Sequence, residues 1–168
     1  MKSYAFLMTI SFLAFPGCDV TGEDSSSPSF AIYRLQDSTF AASQIWDLPI
    51  DSLLLSDVPF LMQDSLTSYH LQTHEFTATA SVDTQLAILG RYIGPTGGIP
   101  FVVTVGHDRI YIGAFWYPYS SLSPAVPYID LSIHNHQIQK AWFPSDSLDR
   151  RSDPRIYSAL KSAGILVE

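Results

Sequence analysis

Cysteine is almost missing from this chain: there is one, Cys18, in 168 residues. The part downstream of it can hold no internal disulfide, no thiolate nucleophile and no cysteine metal ligand. An oxidising compartment permits disulfides without requiring them, provided the core is large enough. Basic residues are also scarce, 9 Lys and Arg against 16 Asp and Glu. Nucleic-acid binding needs clustered Lys and Arg to displace counterions. The only such cluster, Arg150-Arg151 with Arg155, is diluted by Asp149 and Asp153. Nucleic acid is thereby excluded as a partner, and electrostatic docking to anionic lipid is disfavoured for the same reason. No Gly-x-Ser-x-Gly elbow is present. The glycine-rich loop Gly94 to Gly98 lacks the Lys-Ser/Thr pair of a phosphate loop.

What is present begins with an address. Lys2 and the free amino group give a positive start, and Ala5 to Phe15 is an apolar run broken only by Thr9 and Ser11. That run is about half the roughly 20 residues a spanning helix needs, and a short apolar run behind a basic start reads as a cleaved leader. Its end, Leu13-Ala14-Phe15-Pro16-Gly17-Cys18, resembles the lipobox of bacterial lipoproteins, with Gly17 and Cys18 in the small-residue and cysteine positions. Phe15 replaces the usual Leu, and Pro16 is uncommon before the small residue. The resemblance covers only these residues. It implies cleavage before Cys18, diacylglycerol on that cysteine, and lipid-anchored attachment to a membrane of the bacterial cell envelope.

Three regions are expected on this reading. Residues 1–17 are a signal peptide, and residues 18–29 are a lipid-anchored tether. Residues 30–168 form one folded domain. The stretch Asp19 to Ser29 is Ser-rich and acidic, with Gly22 and Pro28, and should be mobile because it cannot bury enough apolar surface. Fully extended, it reaches at most ~40 Å. Losing Lys2 with the leader leaves eight basic residues against sixteen acidic ones. Cys18→Ser is predicted to abolish acylation; palmitate label incorporated equally by the mutant would refute the anchor.

The fold class expected for the domain is α+β, a mainly antiparallel sheet with short helices on one side. The strongest strand signal is Phe101 to Trp116, two β-branched and aromatic runs around Gly106-His107-Asp108, placed at the centre of the sheet. Further strands are expected at Phe30 to Leu35, His74 to Ala80, Tyr128 to Ile133 and Gln137 to Phe143, with Ile165 to Val167 as an edge strand. Ala41 to Trp46 suggests a short helical turn, and Asp64 a turn leading to Tyr69. Helical spacing of Leu86, Leu89 and Ile93 after Ser81 or Asp83 predicts a helix ended by Gly94-Pro95. A second helix is marked by Asp153 as N-cap, Pro154 at its first position and Gly164 beyond its end, with Ile156, Ala159, Leu160 and Ala163 as its apolar stripe.

No catalytic residue set emerges, and no cofactor is implied. Most acids sit beside Ser, Pro or Leu in turns that suit capping; Glu75 and Asp130 are the only two inside predicted strands. Ser158 and Lys161 have catalytic spacing but lie on a helix surface. His134 and His136 would share one face if a strand continued through them, as two imidazoles for a metal would require. His70 and His74 have the spacing of one helix face, although Thr73 and the strand-like sequel argue against a helix. Trp116, Tyr117 and Tyr119 bracket Pro118 at the end of the central strand, where aromatic faces can stack on sugars or fill a partner's pocket. Trp116 is expected in the core, and Tyr117 and Tyr119 in an exposed loop as readily as in the core. The favoured function is a non-enzymatic envelope lipoprotein whose folded part binds a protein or glycan partner. The alternatives are a metal-dependent envelope protein, a hydrolase among its forms, using His70, His74, His134 and His136, and a structural role in envelope assembly.

Overall fold

The structure is a computed structural model that describes residues 28–91, 94–117, 119–132, 135–142 and 149–167. The leader, Cys18, the tether up to residue 27, and His134 lie outside the described residues. None of the described helices is long and apolar enough to cross a membrane.

The β-branched run that dominates the sequence forms the centre of a six-stranded sheet. Strands β5 (Ile99–Val105) and β6 (Asp108–Trp116) pair antiparallel across the turn Gly106-His107. β1 (Phe30–Arg34) lies antiparallel to β5 over its whole length, and β2 (Leu61–Met62) closes that side. On the other side β7 (Tyr128–Asp130) pairs parallel to β6, followed by antiparallel β8 (Ile138–Gln139). The order is β2-β1-β5-β6-β7-β8. A smaller sheet has β3 (Leu66–His70) between antiparallel β4 (Phe76–Ala78) and parallel β9 (Leu166–Val167). Both sheets are therefore mixed, and five of the seven described strand pairings are antiparallel.

Three short helices are described: α1 (Ala42–Ile45), α2 (Ala80–Arg91) and α3 (Pro154–Ser162). α3 forms where its signals predict. The Asp153 carboxylate accepts from the backbone N–H of Arg155, and Pro154 occupies the first turn. Gly164 ends the helix at φ +70, a left-handed position that costs glycine little. α2 starts earlier than expected: Val82 and Asp83 donate their N–H groups to Thr79 O, so Ser81 and Asp83 sit inside the first turn. There the Asp83 carboxylate meets the positive end of the helix.

Alternation along the central strands splits the interior into two layers. Phe101, Val103, Val105 and Phe115 pack on one face with β3, α2 and α3, whose Leu86, Leu89, Ile156 and Leu160 are buried there. Val102, Ile112, Ala114 and Trp116 pack on the other with Ala42 and Ile45 of α1. Helices thus lie on both faces, not one: the short apolar turn of α1 covers the back of the sheet. Ile110 breaks the alternation of β6. The β5–β6 register shifts beside Val103 and Thr104, and this irregularity puts Ile110 in the same layer as Tyr111.

Candidate functional site

A cleft of about 810 Å³ lies between α2, β4 and the segment that follows β7. Gly90 sets its width at one end. A Cβ there would lie 3.1 Å from the Leu131 carbonyl, so the glycine lets helix and turn approach closely. The floor is apolar, with Phe76, Leu86 and Ile129. Around it stand His70, Glu75, Asp83, Arg91, Asp130, Asn135 and His136. Glu75 and Asp130, the two acids expected in strands, therefore open on one cleft. Glu75 forms an isolated antiparallel bridge with Gln137, and Asp130 ends β7, where Oδ1 accepts from the N–H and hydroxyl of Ser132 (2.8 and 2.6 Å). His136 lies flat on Phe76, ring centroids 5.4 Å apart, and its Nε2 donates to Asp83 Oδ1 at 3.0 Å. Asp83, Arg91 and Asn135 carry no local signal of a site; only the fold brings them here.

The histidines separate. β3 ends at His70, which is exposed on the cleft. The backbone then turns back, His74 N donating to His70 O at 2.7 Å, and His74 takes the left-handed φ of +57. No helix places the two on one face, because a tight turn lies between them. His74 is buried instead, its Nδ1 3.1 Å from the Tyr69 hydroxyl. Burial, and next the positive charge of Arg151, push its pKa down to about 4, so it is neutral at pH 7. Its Nε2 lies 3.5 Å from Ser152 Oγ, at the limit of a hydrogen bond. His136 sits between β7 and β8, in neither strand, and the face proposed for it with His134 lies outside the described residues. Among the described residues no three His, Cys, Asp or Glu side chains converge as a metal site.

The aromatic trio also divides. Trp116 is buried against the α1 layer, as expected of a core residue. Tyr117 is 1% exposed, and its hydroxyl donates to Leu89 O at 3.1 Å. Of the two places open to it, Tyr117 takes the core: the hydroxyl satisfies a carbonyl near the end of α2, which draws the ring inside. Tyr119 is 53% exposed and stacks on Tyr117 with centroids 5.2 Å apart. Only Tyr119 of the three offers a face to a ligand.

The basic cluster is spent on internal pairs. Arg151 grips Asp149 with two nitrogens (2.9 and 2.7 Å), and its third donates to Ile138 O at 2.8 Å. Arg150 and Arg155 both reach Asp153, and Arg155 also reaches Asp108. No protein-family model, no curated protein and no solved structure matches the chain.

Proposed function

We propose that this chain is an exported, lipid-anchored protein of the bacterial cell envelope, non-enzymatic, whose folded part binds a glycan or protein partner. Its architecture is read as α+β, one domain over residues 30–168 held by the tether of residues 18–29. The observation that carries the binding role is the cleft beneath α2. Carboxylates, an amide, imidazoles and a guanidinium stand around an apolar floor, the mixture that sugar hydroxyls and ring faces use. A glycan is accordingly the favoured occupant. Carboxylates and amides accept and donate to vicinal hydroxyls, and the narrow Gly90 end limits the width of the chain admitted.

The metal-dependent reading has in its favour only that His70, Glu75, Asp83 and His136 border this same cleft. His74 points elsewhere, and His136 is already engaged by Asp83. The structural role has no observation of its own.

The test is calorimetric titration of the full chain with soluble oligosaccharides of N-acetylated amino sugars, such as an envelope glycan presents. Binding is expected, and Asp130→Ala with Asn135→Ala should weaken it by about tenfold or more while the melting temperature holds within a few degrees. No binding by the parent chain, or binding indifferent to both substitutions, overturns the cleft as a glycan site.

A further inference from the structure

A second surface, on the opposite face of the sheet from the cleft, has a different chemistry. Behind β1 the chain from Gln36 to Phe60 wraps α1 and a 3-10 turn (Ile50–Ser52) over the α1 layer. It leaves a groove of about 450 Å³ whose walls include Phe40, Leu48 and Leu54. Leu48 also walls a smaller adjoining hollow of about 280 Å³ that Trp46 borders. These are large apolar side chains left in water: Phe40 43%, Trp46 46%, Leu48 44% and Leu54 72% exposed. Two hollows sharing Leu48 make the patch continuous rather than scattered, and continuous exposed apolar surface marks an interaction site.

Charge selects the occupant. Between Gln36 and Phe60 there are four acids, Asp37, Asp47, Asp51 and Asp57, all exposed, and no Lys, Arg or His. Asp37 lines the groove itself. Hydrogen bonds from the Thr39 hydroxyl and N–H hold its carboxyl below the usual range, so it stays ionised. Arg109 turns its guanidinium inward to the carbonyls of Ile50 and Leu53 (2.8 and 2.6 Å). Lys140 and Arg150 line the adjoining hollow but not the groove, and Arg150 is paired with Asp153. An anionic bilayer would bring like charge to this rim. So would a second copy of this chain, whose net charge is −7. A basic amphipathic segment brings both complements, apolar anchors for the groove and Lys or Arg for the aspartates.

We propose that the groove flanked by Phe40, Leu48 and Leu54 docks a cationic amphipathic segment of a partner protein. This surface is independent of the cleft, and the two proposals stand or fall separately. Apolar side chains of the segment, spaced three or four residues apart, enter on either side of Leu48, with Trp46 as the aromatic edge. Basic side chains reach Asp37, Asp47 and Asp51.

The experiment titrates a synthetic amphipathic peptide, Leu along one helical face and Lys along the other, into the full chain carrying Cys18→Ser. Two control peptides carry Glu in place of Lys, or Ser in place of Leu. The Lys/Leu peptide is expected to bind, weakening as salt is added, and both controls to bind at least about tenfold less well. Leu48→Ser with Leu54→Ser, both exposed and so without effect on the melting temperature, should weaken the Lys/Leu peptide by about tenfold or more. Equal binding of the Glu peptide or of the Ser peptide overturns the proposal. So does unchanged binding by the Leu48/Leu54 variant. Self-association of the parent chain lost in that variant reassigns the face to a second copy. Binding to phosphatidylglycerol vesicles lost in the variant reassigns it to lipid.

Discussion

Replacing Arg151 by Met should cost about 2–4 kcal/mol of stability, read as a lower urea midpoint at unchanged slope. The guanidinium is almost wholly buried, and it satisfies two oxygens of Asp149 and the carbonyl of Ile138 at once. Methionine fills much of the volume but donates nothing. Ile138 O loses a donor, and the Asp149 carboxylate, 23% exposed, loses its partner. That partial exposure is why the figure falls short of a fully buried pair. Asp149→Asn in the same chain should recover part of the loss, because an amide carries no charge to leave unpaired.

Arg151 has a second readout in His74. Burial is the main reason that imidazole sits near a pKa of about 4, and the guanidinium is the next. In the unfolded chain a histidine titrates at roughly 6.5. Folding therefore excludes a proton from His74, and the stability tied to it falls as pH drops from about 6.5 towards 4, then levels. Without the guanidinium the folded pKa rises, so the Met variant should lose less stability over that interval than the parent. A His74 resonance that titrates identically in both proteins would refute the coupling.

The second large effect is expected at Leu160. It is fully buried on α3, facing Ile156 and the first layer of the central sheet. Leu160→Ala should cost about 2–5 kcal/mol, through lost transfer energy and the cavity left behind. Loss under about 0.5 kcal/mol in chemical denaturation would mean that α3 does not anchor the core. The neighbouring exposed residue Ser158 gives a reference, since its replacement by Ala should fall within about 0.5 kcal/mol of zero.

α3 and the β5–β6 hairpin could be read in advance because their signals are local. Asp153, Pro154 and Gly164 mark both ends of one helix, and a run of Val, Ile and aromatic residues can only be buried as central strands. β3 escaped because its pairing with β4 is irregular between Leu66 and Ser68. Its buried residues, Leu66 and Tyr69, are three apart and break the alternation that would announce a strand. β2 is two residues long and has no pattern to read. Tyr117 followed a buried strand and preceded a proline, and the deciding fact, an acceptor at Leu89, lies far away in sequence. The cleft is the extreme case. Glu75, Asp130, His70 and His136 were each notable alone, but residues up to 66 positions apart meet only after the sheet has formed. Asp83 looked like a helix cap and turned out to hold His136.

The pairing of β9 with β3 bears on the order in which this molecule can be completed. Tyr69 lies opposite Leu166, and His70 opposite Val167, so one edge of the smaller sheet waits for residues made almost a hundred positions later. Strands β3 and β4 can zip together early, being neighbours in sequence. Until the far end arrives, however, the main-chain edge that β9 will cover stays open, and Tyr69 lacks the layer that α3 supplies beside it. A chain delivered amino end first passes through a stage with a sticky, unfinished ladder near its middle. Loss of the last few residues would leave a mature molecule in that stage, more open to proteases and to pairing with its neighbours than its size suggests.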